Sequence, residues 1–142
     1  MWMYYFAIFL VVASNVGYHI SQKSTPAGVN PALSLLGTYM VAAIFCLLIL
    51  PFFSLGESIT VEVRRLNWTC VALGISIVGL EMGFLLAYRA GWNISLAQFY
   101  ATTILTLLLI PIGLCFFQEK ITMINVFGII LCLGGVILLN HK

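Results

Sequence analysis

The sequence predicts an all-α integral membrane protein with five transmembrane helices. Three observations carry this. Of 142 residues, 63% are hydrophobic and 7% are charged, where soluble domains carry about a quarter charged. The apolar residues gather in five stretches near the length of about 20 residues that spans a hydrocarbon core of about 30 Å. The stretches are continuous, unlike the short alternating segments of a barrel, so each must satisfy its own backbone as a helix. The lipid bilayer is thus the first expected partner, and a multi-pass position in the cell membrane (inner or plasma) the expected location.

The first span, roughly Met3–Ile20, begins at the initiator methionine without a basic n-region or a small-residue cleavage site. It reads as a retained span, not a signal peptide. SQKSTPAGVNP follows, with Pro26, Gly28 and Pro31 as turn residues. The second span covers Leu33–Phe53. In the connector SLGESITVEVRRLN the stretch Ser58–Val63 alternates, which suits a short interfacial helix or an irregular loop equally well. The third span is Trp68–Tyr88, the fourth Ser95–Phe117 and the fifth Ile121–Leu139. RAGWN and QEK join these last three, and turns so short predict antiparallel neighbours. Pro111 removes a backbone hydrogen bond in the fourth span and predicts a kink. Cys46, Cys70, Cys115 and Cys132 lie in apolar runs without metal or disulfide spacing, so buried structural roles are expected.

Charge excludes some functions and leaves orientation open. No basic cluster exceeds Arg64 and Arg65, so no nucleic-acid partner is expected. No nucleophile–base arrangement or metal cluster is visible, so neither an enzyme nor a cofactor nor a metal site is expected. Five spans put Arg64, Arg65 and Lys120 on one side and Lys23, Arg89 and Lys142 on the other. Lysine and arginine in short loops normally fix orientation; here they balance. Either a weak local bias still sets one topology, or both orientations insert. In the second case an odd span number makes an antiparallel homodimer of ten helices an inverted repeat, the symmetry of many alternating-access transporters.

Glu81 is the acid within the stretch CVALGISIVGLEMGFLLAY. A carboxylate at the centre of a bilayer costs about 3 kcal/mol or more unless it is paired, protonated or facing a wet cavity. Two readings stand: a coupling or substrate-binding group that exchanges protons, and a protonated structural acid. Its helix face carries Ile77, Phe84 and Tyr88, so aromatic rings flank the acid and suit an organic cation, although core packing explains them too. Asn15, with Tyr18 nearby, is expected to point inward, because an amide in lipid needs partners. His19 is placed at headgroup level. Gln98, early in the fourth span, is expected to line the same cavity, while Tyr100 reads as cavity or belt. Arg89 lies eight residues beyond Glu81, about 12 Å along the axis, and reads as an interfacial anchor. Gly79 and Gly83, with Gly74, form a small-residue surface for close helix approach, as do Gly128, Cys132 and Gly135.

The last three spans, AYRAGWNISLAQ, Pro111 and FFQEKITMINVFGIILCLGGVILL, resemble the EamA-like domain of the drug/metabolite transporter superfamily. Glu119 and Thr122 stand at the Glu and Thr of that family's Gly/Phe-x-Glu-x-x-Thr turn, and Gly128 and Gly135 at its helix glycines. Ser14, Asn15 and Lys23 fit the first hairpin more loosely. The resemblance implies a single EamA-like domain over 1–142, one half of the usual ten-span member. It also implies a distant relation to small multidrug resistance proteins, whose coupling glutamate lies in the first span, not the third.

The sequence therefore predicts a transporter that moves a small organic metabolite or cation by alternating access, coupled to protons through Glu81. The expected partners are a small-molecule substrate, protons and a second, antiparallel copy. The alternatives are an accessory or assembly subunit of a membrane complex, and a flippase for a lipid-linked substrate.

Overall fold

The computed structural model describes residues 2–53, 58–118 and 122–140. Glu119, Lys120 and Lys142 lie outside them. Helices form the regular structure of the described residues: α1 (Trp2–Ser24), α2 (Pro31–Ile49) with a 3-10 turn at Leu50–Phe52, α3 (Ile59–Arg65), α4 (Trp68–Arg89), α5 (Ile94–Phe116) and α6 (Met123–Asn140). Four helical segments among these residues are long and apolar enough to cross a membrane: Trp2–Ser24, Pro31–Phe52, Trp68–Arg89 and Ile94–Phe116. The apolar stretch Met123–Gly135 of the last helix is shorter. The protein is an all-α, multi-spanning membrane protein.

Local chemistry sets the helix limits. Asn30 caps α2, its side chain accepting from the amides of Ala32 (2.9 Å) and Leu33 (3.3 Å). Pro31 then takes the first helical position, where no amide hydrogen is needed. Asn67 caps α4 in the same way through Thr69 N. Gly91 ends α4 at φ +96°, in the left-handed region that glycine enters without steric cost. Gln118 ends α5 at φ 53°. At α6, Thr122 Oγ1 accepts from Asn125 N at 3.4 Å, so this turn is capped by its threonine. The alternating stretch becomes the seven-residue helix α3, with Arg65 reaching back to Glu62 at 3.0 Å.

Apolar helices leave few places for a hydroxyl. Thr38, Ser76, Thr103 and Thr106 each donate to the carbonyl four residues earlier, so each is satisfied within its own helix. Pro111 sits inside α5, which is continuous from Ile94 to Phe116.

The chain divides into two compact units, Met1–Gly91 and Trp92–Lys142. In the first, α1 and α2 both pack on α4. In the second, α5 and α6 pack together, as their short turn predicts; a methyl group on Gly135 would sit 3.8 Å from Phe99. Gly74, Gly79 and Gly83 differ from expectation, because a methyl group on any of them would meet nothing within 4 Å. Gly79 and Gly83 lie two residues either side of Glu81, about 200° around the helix, and so face away from it. All four cysteines are exposed rather than buried. The apolar side chains of the spans point outwards, as a protein solvated by lipid allows.

Candidate functional site

Several polar residues of the first unit gather where α1 and α2 pack on α4. On α4, helical periodicity aligns Glu81, Phe84 and Tyr88 on one face. α1 supplies Tyr18, His19, Gln22 and Lys23 from its last two turns, and α2 supplies Tyr39. Tyr39 lies eight residues into α2, and Glu81 eight residues before the end of α4. Both therefore sit about 12 Å inside their helix ends.

Nearer that end, the ring of His19 is buried at 5% exposure, and so is Tyr88. Tyr88 Oη and His19 Nδ1 share a hydrogen bond of 2.6 Å. Around it four rings close on one another: His19–Phe84 at 4.7 Å, Tyr18–His19 at 4.9 Å, Phe84–Tyr88 at 6.0 Å and Tyr18–Phe84 at 6.2 Å. Most of these contacts are edge-to-face, the favoured packing of ring quadrupoles. The rings pack against one another between α1 and α4. Lys23 Nζ donates to the Tyr88 carbonyl at 3.4 Å and lies 5.6 Å from the centre of its ring. Arg89 Nη2 donates to the carbonyls of Val29 (2.7 Å) and Pro26 (3.2 Å), so the expected anchor ties the α1–α2 loop to the end of α4.

Deeper, Gln22 Nε2 donates to Tyr18 Oη at 3.3 Å and to the backbone carbonyl of Glu81 at 3.4 Å. This fixes α1 against the turn that carries the acid. Across α4, the Tyr39 hydroxyl comes close enough to the Glu81 carboxyl to interact with it. Yet Tyr39 Oη and Glu81 Oε2, both shut off from the surface, lack a hydrogen bond of good geometry among the described residues. Buried polar atoms are nearly always paired. The Tyr39 hydroxyl is itself a donor that a carboxyl oxygen accepts, and Arg89 Nε, at the end of α4, is a third buried atom of this kind.

The residues singled out from sequence divide accordingly. Glu81, Tyr18, Phe84 and Tyr88 come together. Asn15 does not: it is exposed on α1, because α4 covers the last turns of that helix and not the turn before them. Gln98 is half-buried in the second unit, near the start of α5, where Tyr100 packs edge-on against Trp92 at 5.7 Å. His19, placed at headgroup level from the sequence, is buried between α1 and α4 five residues from the end of α1. Tyr39 and Gln22 were not singled out. Tyr39 stands alone in a long apolar run, where an aromatic residue reads as packing. Gln22 stands in a polar stretch that reads as a loop. Comparison with protein-family models, with curated proteins and with solved structures found no match.

Proposed function

We propose that the protein is a transporter of a small organic metabolite or cation in the cell membrane, with Glu81 as its proton-exchanging group. One observation carries this reading. An acid on α4 lies beside the hydroxyl of Tyr39 on α2, on a turn held by Gln22 of α1, well inside the helix ends. A helix packing built for stability alone would place leucine there, since an acid in lipid costs about 3 kcal/mol or more. The cost is understandable where the group must change partner. Alternating access supplies that change, exposing the acid first to one aqueous side and then to the other. The resemblance of the last three spans to the EamA-like domain supports the same reading, as does the balanced distribution of basic residues, which suits an antiparallel pair.

The test begins with thermal stability of the purified protein across organic cations, amino acids and phosphorylated sugars. A compound that stabilises the wild type is then added in weak buffer. Proton release is expected from the wild type and not from Glu81→Gln, which keeps size and hydrogen bonding but cannot titrate. Equal release from both would assign coupling elsewhere. Stabilisation by none of the compounds would favour an accessory subunit over a transporter.

A further inference from the structure

We propose that α1 and α4 move as one body, and that α2 is the element that swings aside to admit water to Glu81. The inference rests on the transport reading and assigns the moving part of its alternating access. Directional bonds join α1 to α4. Gln22 Nε2 on α1 donates to the Glu81 carbonyl at 3.4 Å. Lys23 Nζ donates to the Tyr88 carbonyl at 3.4 Å, and His19 Nδ1 shares the 2.6 Å bond with Tyr88 Oη. The rings of Tyr18 and His19 lie edge-on to Phe84 at 6.2 and 4.7 Å. Two of these bonds end on backbone carbonyls of α4, so they hold the helix itself whatever the charge on the Glu81 side chain.

α2 also packs on α4, but by a different kind of contact. Among the described residues no side-chain hydrogen bond of good geometry crosses from α2 to α4: Thr38 donates within its own helix, and Tyr39 Oη lacks such a bond. Apolar packing is non-directional and tolerates sliding of one helix on another. One end of α2 is nevertheless fixed. Arg89 Nη2, at the end of α4, holds the carbonyls of Val29 and Pro26, and Val29 immediately precedes the Asn30 cap of α2. α2 therefore pivots about its first turn and moves most at Ile49. Glu81 drives the motion. Its Oε2 atom is shut off from the surface, beside Tyr39 of α2. A neutral carboxyl is tolerated there, whereas an ionised one is costly unless water or a partner reaches it. Ionisation thus favours the arrangement with α2 moved away, and protonation the packed one. The titratable and charged groups around the acid are Tyr39 from α2 and Tyr18 from α1, with His19, Lys23, Tyr88 and Arg89 nearer the end of α4. Histidine side chains ordinarily titrate near neutrality, but the His19 bond joins α1 to α4, a joint that is monitored separately.

Distances between nitroxide pairs, read by double electron–electron resonance, test this. The four native cysteines, all exposed, are replaced by alanine, and labels are attached at exposed positions. Ile20→Cys with Leu86→Cys spans α1 and α4. Leu33→Cys with Leu86→Cys reports the pinned end of α2, and Leu48→Cys with Val71→Cys its free end. Labelled protein is diluted with unlabelled protein in nanodiscs and measured from about pH 5 to about pH 9. The pair at 48 and 71 is expected to lengthen by about 5 Å, near one helical turn, as pH rises, and the other two pairs to change by less than about 2 Å. Glu81→Gln should hold the short distance throughout. A fixed or shortened distance at 48 and 71, a lengthening that persists in Glu81→Gln, or an equally large change in either of the other pairs would each overturn the proposal. A fixed distance together with proton release that depends on Glu81 would do so while leaving the transport reading intact.

Discussion

Two tyrosine hydroxyls in one helix cluster should respond oppositely to removal. Tyr88 Oη pairs with a buried histidine, so Tyr88→Phe leaves His19 Nδ1 without that partner and should destabilise by about 1–3 kcal/mol. Tyr39 Oη has no well-formed bond to lose, so Tyr39→Phe should be neutral or slightly stabilising. Reversible unfolding in mixed micelles separates these outcomes; a larger loss for Tyr39→Phe would mean that its hydroxyl is paired in the folded protein. Glu81 was legible in the sequence because a lone acid in an apolar run has few innocent explanations. Phe84 and Tyr88 followed from helical spacing. Tyr39 was not legible, since nothing within α2 indicates that its ring meets α4 at the depth of the acid. For Asn15 the inward direction was argued from the needs of an amide; on the single chain it is exposed, since which turns of α1 are covered depends on where α4 crosses it.

The elements themselves were written plainly in the chain. Each of the first four predicted spans lies within or close to an observed helix, because uninterrupted apolar runs between proline, glycine and asparagine have one hydrogen-bonding solution in lipid. The helix ends hold the finer information. Gly91 and Gln118 both follow a helix and both adopt positive φ, at 96° and 53°. A methyl group on Gly91 would meet nothing within 4 Å, so Gly91→Ala isolates backbone strain. It should cost about 1–2 kcal/mol. Gln118→Gly relieves the same strain and should stabilise by up to about 1 kcal/mol. Unfolding midpoints of the two variants give the check, and a neutral Gly91→Ala would show that α4 ends differently. Gly79 and Gly83 share one face of α4, but no described residue comes within 4 Å of a methyl group placed there. The direction of that face, away from Glu81, follows from a rotation of about 200° over two residues.

At the scale of the whole molecule, orientation in the membrane and assembly with further chains can be tested together. Large side chains along the spans are mostly exposed on the single chain, up to 90% at Trp2, and lipid or another chain must cover them. The balance of basic residues bears on orientation. If each of three residues weighs against three, a small added charge should decide the topology. Lysines at Ser24 and Ala27, beside Lys23, should fix one orientation. Lysines at Ser58 and Leu66, beside Arg64 and Arg65, should fix the other. All four positions are exposed and none touches the cluster around Glu81. Orientation is read by labelling single cysteines from one face of the membrane. Differently tagged copies of the two variants, expressed together, should co-purify as dimers, and two tagged copies of the same variant should not. Dimerisation of either variant with itself, with its single orientation verified, would exclude the antiparallel pair. The polar cluster would then have to work within one chain, or within a parallel pair that lacks the inverted symmetry on which alternating access was argued.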